Sequence, residues 1–171
     1  MKQTSFITQI DPVWIVFRRH WKNCNHRICA ACFEQLYAAI DFLGTSERAA
    51  WLQKADGVVG FSMGAAWSLL LSTLKPETVG AVVVFYGSYP IDFSKASASF
   101  LGHFSPDDEW EPIGDVRATE EKIRGAGREV AFHFYPGTKH WFVEENRPVE
   151  YNREASNLAW KRTLEFIDSK L

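Results

Sequence analysis

Apolar residues recur along this chain with two different periods, and the two alternate. Phe33, Leu36, Tyr37, Ile40 and Leu43 fall at helical spacing, and Gly44 closes the run as a glycine just past a helix end does. Ser46 is placed to cap a short helix running to Lys54. Gly57–Phe61 is a short apolar run that predicts a strand. Met63–Leu74 is apolar nearly all round, which predicts a buried helix, and Pro76 ends it. Val79–Tyr86 is continuous and rich in valine, the pattern of a central strand covered on both faces. Ser99–Phe104 predicts a third strand and Asp115–Arg124 a polar helix closed by Gly125-Ala126-Gly127. Glu129–Tyr135 predicts a fourth strand, ended by Pro136-Gly137. Ala155–Ser169 reads as a helix with Trp160, Leu164, Ile167 and Leu171 on one stripe.

Strands alternating with helices predict an α/β fold on a mainly parallel sheet, with right-handed crossovers and helices on both faces. Ligands in such sheets bind at the carboxyl ends of the strands, so the chemistry is expected in the loops just past them.

Composition narrows the class. The chain has 171 residues, 46% hydrophobic and 23% charged, with a net charge of −2. That fits one core and excludes a disordered chain. No stretch approaches the ~18 apolar residues of a membrane-spanning helix. The near-neutral balance lacks the basic footprint of a nucleic-acid binder. The charge is unevenly spread, however. Residues 1–33 carry five bases against one acid (Asp11), whereas residues 34–171 carry 14 bases against 20 acids. Cys24, Cys29 and Cys32 also fall in the first part. The chain therefore divides into an atypical basic segment, 1–33, and a domain over 34–171. In the first, Pro12–Phe17 offers one strand. Its apolar run is too short for a signal-peptide core, and with an odd cysteine count this predicts a cytoplasmic protein. His20, His26 and the three cysteines offer soft ligands but contain a single C-x₂-C pair rather than the two of a zinc knuckle, so the cysteines are read as plain buried or free thiols and no metal is expected.

The first predicted strand runs into Gly60-Phe61-Ser62-Met63-Gly64, and a helix comes next. The pattern G-x-S-x-G alone arises by chance in roughly one chain in twenty of this length. The flanking strand and helix therefore carry the reading. A nucleophile on so tight a turn needs flanks without Cβ atoms, and the turn lifts the serine hydroxyl clear of the sheet. It also aims the Met63 N–H at a developing oxyanion. A serine needs a base, and the base an orienting acid. His140, in a loop just past the fourth strand, is the candidate base. His133 lies inside a strand, and His103 near the end of one reads as structural. Four carboxylates crowd the loop after the third strand: Asp107, Asp108, Glu109 and Glu111. One should turn inward to His140 and the others face water. Tyr86, Trp110 and Trp141 are candidates for the walls of a substrate pocket.

Gly60–Gly64, the strand Val82–Tyr86, the stretch from His103-Phe104 to Asp108-Glu109-Trp110-Glu111-Pro112, and Tyr135–Phe142 together resemble the dienelactone hydrolase family. Arg147-Pro148 and Ala159–Arg162 extend the resemblance, which covers about residues 34–171. It implies an α/β-hydrolase fold that cleaves small-molecule esters or lactones with no metal or organic cofactor. The family's aspartate stands four residues before a proline, which selects Asp108 with Pro112. Founding members use a cysteine where this chain has Ser62, so a general carboxylic-ester hydrolase working through an acyl-serine is implied. The family also has several strands before the nucleophile strand, and these are reduced or missing here. That leaves an apolar strand edge beside Gly57–Phe61. It should pair with a second copy or make the chain aggregate, and activity should be weakened. The alternative is a hydrolase-fold remnant without turnover, serving as a binding domain.

Overall fold

The computed structural model describes residues 14–17 and 56–171, all within a compact unit formed by Met1–Arg18 and Ala55–Leu171. The predicted helices at 33–43 and 46–54, the cysteines and the boundary near residue 33 lie outside the described residues. Five strands form one sheet: β1 (Trp14–Phe17), β2 (Asp56–Phe61), β3 (Val79–Phe85), β4 (Ser99–Phe104) and β5 (Val130–Phe134). Three helices accompany them: α1 (Met63–Leu74), α2 (Ile113–Gly125) and α3 (Arg153–Lys170). The strands lie in the order β1-β2-β3-β4-β5, and each neighbouring pair is parallel.

Side chains alternate across the sheet, so register decides what each face packs against. Gly60 lies opposite Val84, and a Cβ on Gly60 would meet Gly64 and Ser68 of α1. The even-numbered face of β2 and β3, with Val58, Val82 and Val84, therefore carries α1. The odd-numbered residues Val59, Val83, Phe85 and Leu101 form a core with Ala155, Ala159 and Ile167 of α3. Phe134 belongs to the even face, through its pairing with Phe104, and the Arg117 guanidinium of α2 stacks on its ring at 4.2 Å. Helices thus cover both faces. α1 and α2 connect strands that advance in one direction, and right-handed crossovers place such helices on one side. α3 comes after the last strand, needs no crossover and covers the other side.

The sequence and the structure differ at two kinds of place. α2 and α3 begin two residues before their predicted starts. The two extra residues of each, Ile113-Gly114 and Arg153-Glu154, are exposed and so carry no apolar period. For α3 the start is fixed instead by Asn152, whose side chain accepts the Ala155 N–H at 3.0 Å. The second difference concerns the edge beside Gly57–Phe61. It is not bare: β1, from the N-terminal segment, pairs along it from Trp14↔Gly57 to Phe17↔Gly60.

One buried polar cluster joins α3 to the sheet. The His103 ring is fully buried, with Nδ1 at 2.8 Å from the Tyr135 hydroxyl and Nε2 at 3.0 Å from Thr163 Oγ1. Arg162 donates to the same Tyr135 oxygen at 3.2 Å. Arginine can only donate, so the Tyr135 oxygen accepts from Arg162, and both His103 ring nitrogens are bonded to hydroxyls, those of Tyr135 and Thr163. Burial, then the nearby His133 and Arg162 charges, hold the His103 pKa well below its ordinary value, so the ring is neutral. This is the structural histidine that the sequence predicts. Tyr135→Phe leaves His103 Nδ1 and the Arg162 donor without their partner. It should lower the unfolding free energy by ~1–3 kcal/mol in urea denaturation; an unchanged midpoint would mean that the cluster adds nothing to stability.

Candidate active site

β2 ends at Phe61 and α1 begins at Met63, leaving one residue to make the turn. That residue, Ser62, sits at φ 52 and ψ −121, left-handed backbone that a side chain rarely adopts. The turn is pinned from both sides. The Ser62 N–H donates to the Phe85 carbonyl at 2.9 Å, and its own carbonyl accepts the Ala65 N–H at 2.9 Å. Two glycines make the room. A Cβ on Gly60 would lie 2.3 Å from the Gly64 carbonyl oxygen, and one on Gly87 would lie 2.2 Å from the Ser62 carbonyl oxygen. Sequence reasoning singles out Gly60 and passes over Gly87, whose signal is its place just after a strand. Met63 opens α1, so its N–H is one of the amides that a helix start leaves unpaired.

The loops after β4 and β5 converge on this hydroxyl. Asp108 comes after β4, with a side chain 1% exposed, and His140 after β5, with a side chain 5% exposed. His140 Nδ1 lies 2.8 Å from Asp108 Oδ2 and 3.0 Å from Oδ1, and His140 Nε2 lies 2.9 Å from Ser62 Oγ. A carboxylate beside Nδ1 holds the proton there and leaves the Nε2 lone pair facing the serine. Asp108 Oδ1 also accepts the Trp110 N–H at 2.8 Å and the Glu111 N–H at 3.1 Å, so its own loop holds it in place. The two loops are stitched together, with Ser105 Oγ donating to the Thr138 carbonyl at 2.7 Å.

The other predicted residues take distinct places. Trp141 stands edge-on to His140 at 4.6 Å, and Trp110, 62% exposed, lies 5.9 Å from Trp141. Tyr86 departs from the predicted pocket wall. It is fully buried, its ring lies behind His140 at 4.8 Å, and its hydroxyl donates to Glu144 at 2.9 Å. Aromatic packing against the imidazole and a partner for the hydroxyl draw it inward. Among the described residues, the non-glycine residues at positive φ are Ser62, Tyr86 and Trp141. All three come after strands and surround the same point. Among the described residues no group of three His, Cys, Asp or Glu side chains is arranged to hold a metal ion. Likewise, no described helix is long and apolar enough to cross a membrane.

The acidic loop corrects one expectation. Asp107 and Glu109 are exposed, as predicted, but Glu111 turns inward and accepts a hydrogen bond from the Ser88 hydroxyl. Burial drives its pKa up to about 7. The Asp108 and Asp115 charges push the same way, and hydrogen bonding by Ser88 opposes them. Sequence pattern does not find this residue, because nothing in a run of acids marks which will meet a hydroxyl from another loop.

The family model described as the dienelactone hydrolase family matches residues 15–171. It begins well before the resemblance read from sequence, on the strand β1. Protein usf of Aquifex pyrophilus is 27% identical over 137 residues, covering 78% of this chain and 58% of its own length. A protein of Methylorubrum extorquens, provisionally named a carboxymethylenebutenolidase, is 29% identical over 130 residues, covering 67% of this chain and 44% of its own. The chain thus spans about half the length of these relatives. Among solved structures, the α/β hydrolase MGS-M1 from a Medee basin deep-sea metagenome superposes with a TM-score of 0.68 at 17% identity, covering 85% of this chain and 67% of that one. At that identity it shares the fold.

Glu111 predicts a pH effect on stability. Its folded pKa, about 7, lies above the ordinary 4.5. Its contribution is therefore complete below pH ~4.5 and lost as pH rises through ~7. Glu111→Gln removes that titration. Between pH 5 and pH 8 the wild-type melting temperature should fall further than that of Glu111→Gln, by roughly 2–4 °C for each ~1 kcal/mol involved. Parallel melting curves across that range would contradict the buried, proton-holding carboxyl.

Proposed function

The chain belongs to the dienelactone hydrolase family, and from that premise we propose that it is a serine hydrolase cleaving carboxylic esters or lactones through an acyl-serine intermediate. The observation that supports this reading is the line of contacts from Ser62 Oγ to His140 Nε2 at 2.9 Å and from His140 Nδ1 to Asp108 Oδ2 at 2.8 Å. His140 takes the Ser62 proton as Oγ attacks the ester carbonyl, and Asp108 stabilises the imidazolium that forms. The Met63 N–H faces the oxygen that becomes negative. Collapse of the tetrahedral intermediate breaks the C–O bond to the alcohol, which leaves with the proton held by His140. Water then gives a proton to His140 and attacks the acyl-serine, releasing the acid and restoring Ser62. In a lactone the leaving alcohol stays tethered to the acyl group. Trp141, against His140, and Trp110 beside it would offer the leaving group an apolar rim.

Two measurements test the reading. A fluorophosphonate should label Ser62, p-nitrophenyl acetate should be turned over, and Ser62→Ala should abolish both. Labelling that survives the substitution would place the nucleophile elsewhere. Asp108→Asn keeps the shape of the acid but removes the carboxylate that fixes the His140 tautomer. Its kcat should fall by ~10²–10⁴-fold, while exposed Asp107→Asn stays within about threefold. Equal small losses would exclude Asp108 as the orienter.

A further inference from the structure

Glu111 lies inside the site with no part in the hydrolytic steps. We propose that Glu111 is a positioning residue whose carboxyl, held by the Ser88 hydroxyl, clasps the loop after β3 to the loop carrying Asp108 and so keeps Ser62, His140 and Asp108 in line. This rests on the serine-hydrolase reading.

The clasp joins the loop after β3 to the loop after β4. Residues 86–98, between β3 and β4, form neither helix nor strand, and neither do residues 105–112. On one side, Ser88 is next to Gly87, whose backbone lies so close to the Ser62 carbonyl oxygen that a Cβ would approach it to 2.2 Å. On the other side, Glu111 holds Ser88 through its carboxyl and Asp108 through its N–H, at 3.1 Å. A second route thus runs from Ser62 through Gly87, Ser88 and Glu111 to Asp108, beside the route through His140. This route does not pass through the Ser62–His140 contact, which has to change during reaction.

The groups facing the Glu111 carboxyl are Ser88 from the loop after β3, Asp108 from its own loop and Asp115 from the first turn of α2. Both charged neighbours are acidic, and the carboxyl is largely buried, which favours its protonated form. A closed clasp therefore binds the proton more tightly than an open one, and by linkage a rise in pH through about 7 loosens it.

The test compares Ser88→Ala, Glu111→Val and Glu111→Gln with the wild-type full chain. Glutamine keeps an oxygen to accept from Ser88 and carries no charge at any pH. At pH 6, hydrogen–deuterium exchange of the Trp110 and Glu111 amides should be about tenfold faster in Ser88→Ala and Glu111→Val, the worth of one hydrogen bond, and near wild type in Glu111→Gln. For p-nitrophenyl acetate, kcat should fall by about tenfold in the first two variants, with KM within about twofold, and be rescued in Glu111→Gln. From pH 6.5 to 8.5 the wild type should lose kcat relative to Glu111→Gln. Wild-type exchange and kcat in both Ser88→Ala and Glu111→Val would overturn the proposal, as would a Glu111→Gln as impaired as Glu111→Val. If the wild type shows no Ser62-dependent turnover, the hydrolase reading fails, and amide exchange still decides the clasp.

Discussion

At Ser62 the chain must turn from strand to helix within a single residue, and the left-handed backbone this requires costs about 1–3 kcal/mol for a residue with a Cβ. Much of the nearby structure keeps that conformation from relaxing. The Ser62 N–H is held by Phe85 on the neighbouring strand, and its carbonyl caps the first turn of α1. Gly60 and Gly87 let two further backbones approach to distances that no Cβ would allow. Releasing the strain would mean breaking the β2–β3 pairing or lifting α1 off the sheet. Either step exposes valines that are almost completely buried. The strain is therefore local, while the packing that sustains it is spread over the middle of the domain.

A parallel sheet makes the rest of the site depend on that turn. All strands point the same way, so the loops after β2, β3, β4 and β5 emerge at one end. Ser62 and His140 are 78 residues apart in sequence but only three strands apart in the sheet. The two faces then divide the work. The even-numbered face holds α1, whose N-terminus carries the Met63 amide. The odd-numbered face is tied to α3 through His103, Tyr135, Thr163 and Arg162, which fix the end of β4 and the start of the His140 loop. A neutral, fully bonded histidine in that position holds the two strands whose C-terminal loops carry Asp108 and His140.

The sheet is legible in the sequence because its central strands are covered on both sides. Val79–Phe85 has almost no position free to be polar, and the apolar run Ser99–Phe104 has the same ends as its strand. Met63–Leu74 is equally plain, between the Ser62 turn and Pro76. Legibility fails where burial is one-sided or decided by distant residues. The first two residues of α2 and of α3 look like loop, because they face solvent and the buried positions start at Val116 and Ala155. β1 is four residues long, and its role depends on a partner strand that begins at Asp56. Among the site residues, Ser62 and His140 can be read because each comes after a strand. Tyr86 does so too, and its inward turn is set by His140 and Glu144, far along the chain.

The acidic loop shows why such residues escape pattern reading. Asp107, Asp108, Glu109 and Glu111 share a charge and a solubility, and sequence spacing gives loop residues no face. What separates them is which donors other elements bring near. Asp108 meets His140 from the loop after β5 and two N–H groups from its own turn. Glu111 meets Ser88 from the loop after β3, with two acids for company. Asp107 and Glu109 point to water. In the proposed mechanism, the acid surrounded by N–H groups is the one that holds the imidazolium. A carboxyl facing a hydroxyl and other acids is fitted to keep its proton. Two residues three apart thus acquire different surroundings, and the difference lies in contacts that exist only once the sheet has formed.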